Sequence, residues 1–222
     1  MSDSRLLGKV RGLQQDTLFP TNREDQQIQL SGQETLIGAY GASDYQEDVR
    51  NGRSFWVNNT TAVAAVIAIP TTAVNIAIFN NEPDGGRSYV ITMVTAQSLA
   101  GGAVIYHGGM IGLLGQVRET APTAAMTIKC ANGSGKLDTR CRPIVAATTL
   151  PATTGLAALW FPLGNSVNSS VVSLGGMGLR CNVDGRYIVP PGRYFAVHVL
   201  ASAVGTTWMM NIFWTEKQLL MG

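Results

Sequence analysis

Charged side chains are scarce in this sequence. Asp, Glu, Lys and Arg make up 14% of its 222 residues, whereas a typical soluble domain carries about 25%. The net charge is only +2 and no basic run occurs, so a basic surface for nucleic acid is excluded from the expected functions. A chain so poor in charge either covers its surface with small polar residues or buries that surface against copies of itself. We therefore expect the protein to be its own partner.

Long apolar runs are absent, and cysteine is rare. No stretch approaches the ~20 apolar residues that cross a bilayer, and the N-terminus lacks the basic and apolar segments of a secretion signal. We therefore expect no membrane partner and synthesis in the cytosol. Cys130, Cys141 and Cys181 are odd in number and show no Cys-x-x-Cys spacing. Reduced, buried thiols are the interpretation that fits this pattern.

Residues suited to catalysis or metal binding are few. Nucleophilic catalysis would need His107 or His198 beside a Ser or Cys and a carboxylate, but His107 adjoins two glycines and His198 has small and apolar neighbours. No metal-ligand spacing is present. The acids available after residue 53 for glycoside cleavage are Glu82, Asp84, Glu119, Asp138, Asp184 and Glu216. We predict a protein that is not an enzyme, with no catalytic residue, no metal and no cofactor.

The charges that are present concentrate in the N-terminal quarter. Residues 1–53 hold 14 of the 30 charged side chains and show no strong helical or strand period. We predict that residues 1–53 are an extended arm that becomes ordered on a neighbouring subunit, the alternative being a disordered tail. The short apolar anchors of this arm, our first interface candidates, are Leu6, Leu7, Leu18, Phe19, Leu36 and Ile37.

Residues 54–222 have the sequence pattern of an all-β domain. Segments with strand periodicity alternate with loops rich in Gly, Pro and Asn. The clearest strands are predicted at 74–79, 87–95, 193–202 and 208–214, and the apolar run 62–69 is predicted as a buried strand. Residues 111–186 are less regular and are interpreted as insertions with short strands. Because helix signals are nearly absent, we predict a β-sandwich or barrel.

Three residues of the β-domain complete the interface candidates. His198 lies on a predicted strand as a packed or interface residue, and Trp208 and Trp214 share one face of the last strand. Trp160 and Phe161 with these two tryptophans are an alternative platform for stacking sugars, although aromatic residues of a sandwich more often fill its core.

The C-terminal sequence resembles jelly-roll virion proteins of tailed bacteriophages. The matching segments are 188–197, which holds a Pro-Pro-Gly turn, the Gly-Thr-Thr of 205–207, and 212–216, which ends in Trp-Thr-Glu; 77–81 and 86–91 resemble the paired strands around the glycine-rich loop of that family. The resemblance implies a jelly-roll-like antiparallel β-sandwich with an extended N-terminal arm. It also implies a capsid decoration (cement) protein that forms homotrimers and binds the major capsid protein or other virion proteins. The virion is then the expected location, and a host-glycan receptor-binding module of a fibre or tail is the alternative function.

Overall fold

The structure is a computed structural model, and it describes residues 44–71, 73–100, 106–135, 137–147, 159–169, 178–202 and 206–219. Most of the predicted arm lies outside these residues. Its anchors Leu6, Leu7, Leu18, Phe19, Leu36 and Ile37 lie outside them as well, so the interface role predicted for these six stays a prediction.

The described residues form one short helix and eleven strands. In chain order they are α1 (Asp44–Arg50), β1 (Ser54–Asn58), β2 (Val63–Ala64), β3 (Val74–Asn80), β4 (Ser88–Ala100), β5 (Tyr106–Leu114), β6 (Lys129–Cys130), β7 (Cys141–Ala147), β8 (Trp160–Ser169), β9 (Gly178–Val189), β10 (Tyr194–Ala201) and β11 (Thr207–Lys217).

These strands build two antiparallel sheets that pack face to face. The first sheet has the order β6-β1-β11-β4-β9, with β2 also paired to β11, and the second has the order β7-β3-β10-β5-β8. When the short strands β2 and β6 and the added edge strand β7 are set aside, each sheet has four strands and strands from both ends of the chain are neighbours. This is the order of a jelly roll. The all-β, jelly-roll-like sandwich is confirmed.

Period-two alternation sets the core between the sheets. In β11, Trp208, Met210, Ile212 and Trp214 are fully buried, while the residues between them are half-buried. The predicted strands at 74–79 and 193–202 are buried on both faces. Their outward residues pack in a second cluster on the far side of the second sheet, which includes Phe79, Leu113 and Tyr194. The second sheet is therefore covered on both faces by its own chain.

The apolar run 62–69 departs from the prediction of a buried strand. Only Val63 and Ala64 are in a strand, and Ile67 and Ile69 are 66% and 51% exposed. The chain passes here from one sheet to the other. The N–H of Ala65 donates to Thr206 O at 3.1 Å, next to β11 at the edge of the first sheet. The next residue bridges to β10 of the other sheet. A segment that changes partners cannot keep one face towards the core.

Residues 44–53 pack with the sandwich. They form α1 and a turn in which Gly52 has a φ of +67°, and the N–H of Glu216 donates to Arg53 O at 2.9 Å. The buried Asp48 of α1 lies 3.1 Å from Lys217 Nζ. The compact unit that holds the sandwich begins at Asp44. Among the described residues there is no helix with the length and apolar character that crossing a membrane would require.

Candidate functional site

The three interface candidates of the β-domain lie inside the chain's own packing. Trp208 and Trp214 are 0% exposed in the core between the sheets. The ring centroid of Trp214 lies 5.9 Å from that of Phe55 and 6.1 Å from that of Tyr89. His198 is 2% exposed on the outward side of the second sheet. None of the three offers surface to another molecule in this arrangement.

The environment of His198 suits a neutral, packed imidazole. Its Nδ1 lies 3.1 Å from Val199 O, and the Trp160 ring meets it edge-on with centroids 6.1 Å apart. Burial lowers the pKa of His198 to about 4, against a smaller opposing effect of the Val199 carbonyl. Burial disfavours the charged imidazolium, so His198 is neutral at pH 7.

Four of the six acids that the sequence offers for catalysis, Glu82, Asp84, Asp138 and Glu216, form ion pairs at one end of the sandwich. Asp84 pairs with Arg118, Glu82 lies 3.9 Å from Arg140, and Asp138 lies 2.9 Å from Arg87. Glu119 lies in the same loop as Arg118, and Asp184 lies on β9 with a φ of 50°. Within the described ranges, no three His, Cys, Asp or Glu side chains come together as metal ligands.

Glu216 is the one fully buried member of this charged end. Its side chain is 0% exposed and lies 3.4 Å from Arg87, whose side chain is 38% exposed. Thr139 Oγ1 and Trp214 Nε1 donate to the same carboxylate. Burial raises the pKa of Glu216, while the hydrogen bonds from Thr139, Trp214 and Arg87 oppose that rise. The cluster links the end of β11 to the start of β4 and to the loop before β7. We call this linkage a clasp, because it holds the three chain segments together.

At the opposite end of the sandwich, the described residues beyond the strand ends carry no charged side chain. Strand pairing places the end of β4 beside the start of β11, and the end of β10 beside the start of β5. We call this the neutral end. Its described residues outside the strand ends are 59–71, 73, 202 and 206, and none of them is Asp, Glu, Lys or Arg.

Large apolar side chains are exposed at the neutral end. Ile67, Ile69 and Leu99 are 66%, 51% and 51% exposed. Elsewhere in the described residues, Val117 and Leu137 are exposed to a similar degree, 52% and 48%, but each of these lies next to the charged end. Apolar residues without neighbouring charges are the composition of an interface core. Sequence reasoning counted the scarce charges but missed their segregation, which appears only when strand ends are placed side by side.

The alternative sugar-stacking platform of Trp160, Phe161, Trp208 and Trp214 is not assembled. Two of its four members are in the core, and Trp160 Nε1 donates to Pro70 O at 2.9 Å. Phe161 packs on Tyr187 with ring centroids 4.7 Å apart. The remaining tryptophan, Trp56, is half-buried on the outward face of the first sheet, and sequence reasoning did not select it.

The cysteines are free thiols. Cys130 and Cys141 are buried and Cys181 is half-buried, and burial is the main cause that raises the pKa values of Cys141 and Cys181.

No protein-family model matches this chain, and no curated protein sequence matches it either.

Proposed function

We propose that this chain is a structural protein of a virus particle, which stabilises the capsid shell as a homotrimeric decoration protein. Its partners are then copies of itself and the major capsid protein or other virion proteins, and its location is the virion. The jelly-roll strand order and the sequence resemblance support this proposal.

The neutral end carries the proposal. In a cyclic trimer the residues nearest the three-fold axis face their own equivalents in the other copies, so charges of one sign at that place would repel one another. A surface without charges avoids that repulsion and needs no desolvation of ions. Full burial of an isoleucine or leucine side chain contributes about 1.5–3 kcal/mol. Ile67, Ile69 and Leu99 together would then add several kcal/mol of adhesion for each subunit.

The native mass of the full chain in solution tests this proposal. We expect sedimentation analysis to give a trimer. Replacing Ile67 with Asp should weaken the trimer by roughly 100-fold, because an unpaired carboxylate would be buried at each contact. The domain should still fold, since Ile67 is mostly exposed within one chain.

Val117→Asp is the matched control. Val117 is also an exposed apolar side chain, but it precedes Arg118 at the charged end, so its replacement should leave the trimer unchanged. A wild-type chain that stays a single subunit at high concentration, or a trimer indifferent to Ile67→Asp, contradicts the proposal.

A further inference from the structure

The outward face of the first sheet bears apolar side chains where a solvated sheet face normally bears polar ones. Strand register aligns five outward side chains across five strands. We call them the outer row, which is, in spatial order, Lys129, Trp56, Phe213, Met93 and Asn182. Since neighbouring strands lie about 4.8 Å apart, the row is about 19 Å long.

The aromatic centre of the outer row is preformed and half-accessible. The rings of Trp56 and Phe213 stack with centroids 6.0 Å apart and planes at 21°, and Lys129 Nζ lies 4.2 Å from the Trp56 ring centre. Trp56, Phe213 and Met93 are half-buried, and Asn182 is exposed. Trp56 lines one hollow of about 320 Å³, and Phe213 and Met93 line another of about 250 Å³.

A second line of side chains, one step towards the neutral end, is polar. This polar row is, in spatial order, Asn58, Asn211, Thr95 and Arg180. Hydrogen bonds hold its members in place: Asn211 Nδ2 donates to Thr95 Oγ1 at 2.9 Å, and Lys129 Nζ donates to Asn58 Oδ1 at 2.7 Å. Arg180 Nε donates to Asn182 Oδ1 at 3.0 Å. The polar row therefore offers oriented amide and hydroxyl groups beside the stacked rings.

The second sheet shows that this exposure is not a general property of the fold. Its outward residues Phe79, Tyr194 and Ala196 are buried, and Ala121, Leu159 and Trp160 pack against this cluster. On the first sheet, the described residues border the outward face at two places: Val49 of α1 borders the hollow that Phe213 lines, and Leu137 borders the hollow that Trp56 lines.

We propose that the outer and polar rows together bind an uncharged oligosaccharide. A pyranose ring has an apolar C–H face, which stacks on aromatic rings, and a rim of hydroxyl groups, each both donor and acceptor. A sugar on Trp56 and Phe213 would direct its hydroxyl rim to the polar row, where Asn58 and Asn211 each carry an amide donor and acceptor. The length of the outer row accommodates several sugar units.

The chemistry favours a sugar over a peptide. The backbone groups of these strands are paired within the sheet, so a peptide strand cannot add to this face by backbone hydrogen bonds as it would at a sheet edge.

Calorimetric titration of the full chain with three uncharged probes tests this site: chitohexaose, maltohexaose and cellohexaose. We expect at least one to bind with a dissociation constant below about 1 mM. Trp56→Ala should weaken that binding at least about tenfold, through loss of stacking. Asn211→Ala, which leaves the aromatic pair intact, should weaken it about fivefold through loss of hydrogen bonds.

Trp160→Phe is the matched control, since Trp160 is a half-buried tryptophan of the other sheet, and it should not change sugar binding. Thermal unfolding of each variant shows whether the domain is intact, and Asn211→Ala decides the test if Trp56→Ala does not fold.

Absence of binding to all three probes overturns the proposal, and so does equal binding by the wild type and Asn211→Ala. A native mass altered by Trp56→Ala, without sugar binding, would assign this face to contacts between copies instead. The site is independent of the trimer, so failure of one proposal leaves the other standing.

Discussion

At the scale of single residues, burial decides what each candidate group can do. His198 and Glu216 are both almost inaccessible, yet their surroundings differ. Glu216 has a cation and two neutral donors around it, whereas His198 has a carbonyl and an aromatic edge. Glu216 therefore holds strands together through its ion pair and hydrogen bonds, and His198 packs as a neutral side chain among the apolar residues on the outward side of the second sheet.

His198 makes stability depend on pH in a defined direction. Its pKa is about 4 in the folded chain and 6.5 without burial, so the unfolded chain binds the proton more readily between these values. Its contribution to the free energy of unfolding is therefore complete above pH 6.5 and is lost as pH falls towards 4, by up to about 3 kcal/mol.

Urea unfolding of the wild type and of His198→Gln across this pH range measures the effect. The variant should lose less stability than the wild type as pH falls, because glutamine takes up no proton. Parallel pH curves for the two proteins would contradict the assignment of a buried, neutral imidazole. Comparison with the variant is needed because Glu216, whose pKa burial raises, changes stability in the opposite direction.

At the scale of elements, the turn between β9 and β10 ties the charged end together. Gly192 has a φ of +74°, its N–H donates to Asn80 O at 2.8 Å, and its own carbonyl accepts from the N–H of Glu119. The buried Asn80 side chain in turn donates to Arg87 O and Val189 O, each at 2.8 Å. The β9–β10 turn, the end of β3 and the loop that holds Glu119 therefore meet at Gly192.

Gly192→Ala should lower the free energy of unfolding by about 1 to 2 kcal/mol, because alanine is strained at a left-handed φ. A Cβ there would also lie 2.8 Å from Arg118 Cγ. Gly178→Ala is the matched control: no atom lies within 4 Å of the added carbon, so its effect should stay within about 0.5 kcal/mol. Equal denaturation midpoints for the two variants would refute the role of the turn.

At the scale of the whole molecule, the chain combines a compact unit that starts at Asp44 with 43 preceding residues, which are the larger part of the arm predicted for 1–53. Because α1 is anchored by Asp48 to Lys217, a truncation that tests the arm should stop before α1. The neutral end and the arm are predicted to serve different contacts, the first between copies and the second with the particle.

Deletion of residues 1–43 should leave the thermal midpoint and the trimer of the β-domain intact and should abolish its attachment to capsids. Co-sedimentation of the full and truncated proteins with the virus particles measures attachment, and the two native masses serve as the control. A truncated protein that still decorated particles fully would show that the arm is dispensable.

Some of this protein could be derived from its sequence alone. Alternation at 193–202 and 208–214, the Pro-Pro-Gly turn and the lack of helix signals determined an all-β sandwich, because side-chain direction in a strand follows from chain geometry. The change of composition at residue 53 predicted the end of the arm there, whereas the compact unit begins at Asp44. Local pattern failed at 62–69, where the hydrogen-bond partners of the chain change from one sheet to the other.

Only the tertiary structure decided where the proposed surfaces lie. Lys129, Trp56, Phe213, Met93 and Asn182 are far apart in the sequence, and they align because the buried faces of five strands fix one register. The neutral end likewise depends on which strand ends are neighbours. Pairing between distant strands is set by the packing of the whole core, and no local pattern in the sequence contains that information.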